Sequence, residues 1–559
     1  MHPARADSIF AAMRFRILAP LLALAAAAPL AAQNDTLRPP ARADSVLGTA
    51  SARTLVSKTP PAASEPVGIE SNLYLAVSSW ATPYVEHLIR AGVLRGLDPL
   101  TRPLRRADVA RAVARVDTAS VAPSVRSQLR LLAHELEERQ DTVRWKLDGG
   151  IGALAASDAS RWAWRPAGDT AHVYPQADLA MSLEMPHLAF ITHPFVDNRL
   201  KHDPEYIGRK TRIVAGRNDE AYLIGSWKYL DVFFGIADRN WGPPEAEGLL
   251  LSTAPYAYDH LFVRLGPRRL RLEMLATELD QLPEWGSTVP ARRFLSAHRL
   301  VVTPSDRFAF SLSETIVYAD VNGTTRDYEP WYLNAFNLWL LAQNQFKPTG
   351  NSLVGADFSW LMRPGLRLAA QLYADDVQVD RGGQGNAKPE ELGYTVNLSG
   401  GALRGVVSWS GFYTRVDALD YRTSSNPEQY SSDSVGLARN HSDYDQLTFR
   451  ATAAAAPRAL VTGELTYIRQ GQGDFRIQYP PISAFDDSLV FLTGVVERTL
   501  RVAAQAQWSP TPGVHISADV GRHFIRSAGH VAGARADRWV WRLKAEIRRR
   551  YTGAVRWKD

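Results

Sequence analysis

The 559-residue chain contains no cysteine. This excludes a disulfide framework, a thiolate metal site and a lipid-modified cysteine as an anchor. After Ala32 it also lacks any apolar run near the roughly 18 residues that a membrane-spanning helix needs. Its best candidate, Leu489 to Val496, is far shorter. Charge of one sign is missing too. The 64 basic and 58 acidic residues leave a net +6, spread along the chain rather than gathered into the footprint of a nucleic-acid binder. Nucleophile elbows, phosphate loops, paired zinc ligands and calcium loops are absent. His187, His193 and His202 lie close together but at spacings that suit no metal-binding helix or strand. The expectation is therefore a protein without cofactor or metal that is not an enzyme. A barrel hydrolase is the last of three readings, because Ser, His and Asp are plentiful.

What is present begins with Arg14 and Arg16 ahead of a weakly polar to apolar run from Ile17 to Ala32, which ends in small residues. That pattern predicts a secretory signal peptide over 1–32. Residues 33–66 are rich in Pro, Ala, Ser, Thr and Arg without hydrophobic period, the composition of an unstructured linker. Residues 67–144 carry the one helical pattern. Thr82 is placed to cap a helix with Pro83 at its first turn and Gly92 at its end. A second helix is predicted over Arg106 to Val116 and a third over Pro123 to Glu138, where Val125, Leu129, Leu132 and Leu136 form a stripe. Three short helices bury little alone, so the module is expected to dock on something larger.

From Trp145 the period becomes two. Near the end, Trp539, Trp541, Leu543, Ala545 and Ile547 share one face, and Val540, Arg542, Lys544, Glu546 and Arg548 share the other. A charged inner face and an apolar outer face predict an outer-membrane antiparallel β-barrel over 145–559, of about 18 strands (16 to 20), with a small periplasmic helical module before it. Aromatics near strand ends, such as Trp227, Tyr229, Trp360 and Trp508, suit the membrane interfaces. Long outward loops are expected over 322–332, 377–393, 417–445 and 470–487. The predicted location is the bacterial outer membrane.

One stretch breaks the alternation. It is Asp238-Arg239-Asn240-Trp241-Gly242-Pro243-Pro244, and Gly235-Ile236-Ala237-Asp238-Arg239-Asn240-Trp241-Gly242-Pro243, followed by Leu249-Leu250-Leu251-Ser252 and Ala254-Pro255, resembles the signature of the capsule assembly Wzi family. Looser matches are Arg293 to Leu300, Asn351 to Phe358, Gln371 to Asp376 and Asn440 to Asp443. The resemblance implies an outer-membrane barrel that acts as a lectin and retains exported capsular polysaccharide. Residues 73–115 also resemble a single S-layer-homology-like repeat, which implies contact with cell-wall polymer; a plain helical cap on the barrel is the other reading.

Sugar recognition needs aromatic faces for C–H patches and planar polar groups for hydroxyls. Arg239, Asn240, Trp241, Tyr256, Tyr258 and Asp259 supply that set and are the candidate polysaccharide site. The competing reading folds the same residues inward as structural contacts. Loop aromatics Tyr328, Trp331, Tyr332, Tyr421, Tyr430, Tyr444 and Tyr479 are alternative sugar contacts. The expected partners are surface polysaccharide and outer-membrane lipid, with no nucleic acid, and the chain is expected to be a monomer. The alternative function is a passive porin for ions or small solutes.

Overall fold

The computed structural model describes residues 71–136, 143–166, 171–319, 328–339, 350–376, 391–480 and 490–555. The expected signal peptide and linker lie outside these residues, as do 377–390 and most of 322–332.

Eighteen antiparallel strands close into one barrel. The first, Val143–Ala156, and the last, Arg535–Val555, pair with each other and complete the ring, with Val555 opposite Val143. The period-two pattern explains the wall. Trp539, Leu543 and Ile547 are exposed on the outside, while Arg548 points inward to Asp148 and Asp178 at 3.1 and 2.7 Å. In water such an exposed apolar face would be an aggregation surface; in lipid it is the matching one.

Connections alternate in length. Turns such as 227–229, 266–269, 306–307, 364–365, 403–406, 457–458 and 512–513 are short and lie at one end, together with both barrel termini. The segments 157–166, 198–215, 238–257 and 417–443 lie at the other end. Barrels of this class put short turns on the periplasmic side. Exposed Trp145, Trp227, Tyr229, Phe308, Trp360, Trp508 and Tyr551 all sit near that short-turn end and form an aromatic girdle there.

The helical module docks on the same end. Helix α1 is Thr82–Arg90, α2 is Arg106–Ala114 and α3 is Pro123–Glu135. Their apolar stripes, including Leu88, Val109, Val125 and Leu132, form a core that also takes in Ala454 and Leu460 of the barrel. Trp80 stacks on His515 at 4.1 Å, and the Tyr84 hydroxyl donates to the Arg458 carbonyl at 2.7 Å. Thr82 does not cap α1 as its spacing suggests. Its hydroxyl donates to the Ala76 carbonyl at 2.7 Å, and Ala81 holds the cap position.

Two of the long segments turn inward. The segment 238–257 crosses the lumen from its own wall to the far side, where Arg450 donates to the Glu245 carbonyl at 3.3 Å. The segment 417–443, expected to face outward, comes from the opposite wall and meets it. Its Tyr421, Tyr430, Leu437 and Ala438 are buried in one core with Leu249, Leu250 and Leu251. Such apolar residues at a loop tip need a core, and the lumen supplies one.

Candidate functional site in the lumen

The carbonyls at the centre of the inward segment all find donors. The Leu249 carbonyl accepts from the Tyr421 hydroxyl at 2.9 Å, the Leu250 carbonyl from the Tyr430 hydroxyl at 2.6 Å, and the Leu251 carbonyl from Trp241 N–H at 2.9 Å. Gln371 from the wall holds both sides: its Oε1 accepts from Leu249 N–H at 2.8 Å and its Nε2 donates to the Trp241 carbonyl at 3.0 Å. Gly242 has φ +125°, and a Cβ there would lie 2.6 Å from Gln371 Oε1, so only glycine fits. Buried backbone groups without partners are costly, and this accounting lets a loop run through a barrel interior.

The helical module grips the same segment from the periplasmic side. Thr101–Arg102 pairs with Asn240–Trp241 as a short antiparallel ladder, and Gly242 N–H donates to the Leu100 carbonyl at 2.9 Å. Arg271 and Arg299 of the wall share Glu273, at 2.7 and 2.6 Å, and also contact Asp98 and Thr101. The Arg299 guanidinium lies 4.5 Å from the Trp241 ring centre.

Five of the six candidate residues face inward. Trp241 is 0% exposed and offers no ring face to a ligand in this arrangement. Arg239 sits among the rings of Phe262, Phe233 and Tyr74 at 4.0, 4.6 and 4.9 Å. Its Nε donates to His260 Nε2 at 3.0 Å, which places the imidazole proton on Nδ1, donating to the Tyr258 carbonyl at 2.9 Å. Asn240 Oδ1 accepts from Gly248 N–H at 2.7 Å. Tyr258 packs beside the central core. The Tyr256 hydroxyl donates to Asp203 at 2.5 Å, and burial pushes its pKa up to about 12. Asp259 is different: it alternates with inward-facing Tyr258 and His260, so its exposed side chain lies on the outer wall, apart from the rest.

The structure assembles another set around a cavity of about 220 Å³ in the lumen. Trp162 and Trp164 come from the segment 157–166 and Phe412 from the wall, while Asn240, Glu245 and Glu247 come from the inward segment. Arg439 approaches Glu247 at 3.7 Å, and Arg450 faces the cavity from the wall. Burial raises the Glu247 and Glu245 carboxyls above the ordinary range, against the pull of Arg439 and Arg90 respectively. The tryptophans are held from behind. Trp162 Nε1 donates to Glu205 at 3.1 Å, Asn440 Nδ2 donates to the same carboxylate at 2.7 Å, and the Arg165 guanidinium lies 4.9 Å from the Trp164 ring. Aromatic faces, carboxylates, guanidinium groups and an amide therefore line a space sized for one or two sugar rings. The sequence signal was available in Arg161-Trp162-Ala163-Trp164-Arg165, which mixes ring and cation as densely as the 238–244 stretch.

Among the described residues no group of His, Asp or Glu is arranged to hold a metal. His193 instead meets Asp178 at 2.9 Å, and His202 stacks on His172 at 5.7 Å.

Eighteen strands, an apolar outer wall, a periplasmic helical module and inward-folded segments define an outer-membrane β-barrel with an occupied lumen. No family model and no curated protein sequence matches the chain. Among solved structures it is similar to Wzi of Escherichia coli, an outer-membrane protein involved in group 1 capsule assembly and described as a carbohydrate-binding β-barrel. That likeness has a TM-score of 0.58 at 12% identity and covers 85% of this chain and 99% of that one. OpdK and OprD of Pseudomonas aeruginosa are each similar with a TM-score of 0.41 over 73% of this chain, at 9% and 8% identity, covering 99% and 95% of their own chains. At these identities the likeness is one of fold.

Proposed function

We propose that the protein is a distant member of the capsule assembly Wzi family, a non-catalytic outer-membrane lectin that retains exported surface polysaccharide at the cell surface. The observation that carries this reading is the lumen cavity flanked by Trp162, Trp164 and Phe412 with Glu245, Glu247, Arg439 and Arg450. Rings cover the C–H faces of a sugar, and the charged groups pair with its hydroxyls or carboxylates. The fold shared with a carbohydrate-binding barrel supports it. The other reading, a passive porin, needs a continuous water path, and the crossing of 238–257 and 417–443 opposes one.

An array of bacterial polysaccharides probed with the purified protein tests the assignment. The native protein should bind, and a Trp162→Ala/Trp164→Ala variant should bind roughly five- to tenfold more weakly, about 1 kcal/mol or a little more for lost ring faces. Both should keep the heat-modifiable migration of a folded barrel. Equal binding by native protein and variant would remove the cavity from the account; no binding by folded native protein would remove the lectin.

A further inference from the structure

A second and larger cavity, about 820 Å³, opens at the short-turn rim between the helical module and the barrel. Its lining carries ten arginines and one lysine against five carboxylates. Most of these carboxylates are already engaged. Asp231 takes both Arg105 and Arg264, Glu273 takes Arg271 and Arg299, and Asp98 takes Arg271. Among the described residues, no carboxylate lies within ion-pair distance of Arg95, Lys228, Arg239, Arg307 or Arg367 on this lining. The excess charge is distributed in depth. Arg95, Lys228 and Arg307 are exposed at the mouth, on the module and on two periplasmic turns. Arg239 lies inside; it is only 4% exposed, and its Nη2 has no hydrogen-bond partner among the described residues.

A buried guanidinium with an unused donor, in a cavity whose cations outnumber its anions, is a site short of negative charge. Arginine forks pair bidentately with phosphate and carboxylate, and cations spaced from mouth to interior suit several charges on one ligand. We infer that this periplasmic vestibule binds an oligoanion bearing phosphate or carboxylate groups, which enters between the module and the turns at 227–229 and 306–307. The inference does not rest on the lectin reading, because the cavity lies on the other side of the Thr101–Arg102 ladder and shares none of the tryptophan site's residues. The phosphate can come from a soluble chain or from an anionic lipid headgroup at the rim; the chemistry at the guanidinium groups is the same.

The test is titration of the full-length detergent-purified protein with tripolyphosphate at low and at physiological salt. Native protein should bind, with affinity falling as salt rises. An Arg95→Gln/Lys228→Gln/Arg307→Gln variant should bind about tenfold more weakly or worse. An Arg526→Gln/Arg535→Gln variant, altered at the opposite end of the barrel, should match the native protein. Repeating the titration in nanodiscs of phosphatidylglycerol and of phosphatidylcholine separates the sources. Competition by phosphatidylglycerol alone assigns the site to a lipid headgroup, and undiminished binding in both assigns it to a soluble anion. Absence of binding by native protein at low salt, or equal weakening in both variants, would overturn the inference. Heat-modifiable migration of every variant reports that the barrel is folded.

Discussion

A buried guanidinium that faces backbone oxygens works as a clamp, and Arg293 shows how. Fully buried, it donates to the carbonyls of Pro427, Gln429 and Ser431 at 2.6, 2.5 and 3.0 Å and reaches Asp280 at 3.3 Å. Arg293→Ala would leave those carbonyls without their donor. The cost expected for 427–431 is about 2 to 3 kcal/mol, which amounts to 30-fold or faster amide exchange in that stretch. Unchanged exchange would mean that the clamp holds nothing. The residues that carry the family resemblance act in the same way. Gln371 brackets the 241–249 backbone, Asn351 Nδ2 donates to the Tyr421 carbonyl at 3.4 Å, and Asp443 accepts from Gly473 and Thr493 N–H at 2.8 and 3.0 Å. The 238–244 stretch was visible in the sequence because it breaks the strand period. Its use was not visible, since Arg, Asn and Trp satisfy carbonyls and neighbouring rings with the same groups that satisfy a sugar. The same holds for Trp162 and Trp164: composition does not distinguish a ring turned into a cavity from one packed behind it.

At the level of elements, α1 contains a pH-sensitive contact with the barrel. His87 is fully buried; its Nε2–H donates to the Gly405 carbonyl at 3.0 Å, so its Nδ1 accepts from the Ser408 hydroxyl at 2.8 Å. That pattern requires a neutral ring, and burial, with Arg90 nearby, lowers its pKa to about 4. A released His87 titrates near its ordinary 6.5. Between these values the undocked state binds the extra proton, so the docking stabilisation is complete above about pH 6.5 and is lost as pH falls toward 4. The loss is on the order of 3 kcal/mol. Limited proteolysis of the module at pH 7.5 and 5 should show faster cleavage in acid. His87→Gln should flatten the difference, and an unchanged pH response in that variant would exclude His87 as its source. The strands and helices were legible from local period, which depends only on which face meets lipid, lumen or core. The inward turn of 417–443 was not, because it depends on Tyr421 stacking on Tyr373 at 5.0 Å and on the Tyr421 and Tyr430 hydroxyls reaching the Leu249 and Leu250 carbonyls, contacts between residues distant in sequence.

In the whole molecule, three bodies meet inside the barrel: the module with its Thr101–Arg102 strand, the 238–257 segment, and 417–443 from the opposite wall. Trp241 sits at their centre, with its backbone paired to Thr101 and Leu251, its carbonyl held by Gln371, its ring beneath Arg299 and a core shared with Tyr421, Tyr430 and Leu437. Removing a fully buried indole costs about 3 to 5 kcal/mol and here would loosen the crossing itself. Conductance in a planar bilayer tests this most directly. The native barrel should show no steady open-channel current, and Trp241→Ala should introduce fluctuating current while the barrel stays folded. Steady porin-like conductance from the native protein, unchanged by Trp241→Ala, would contradict the account.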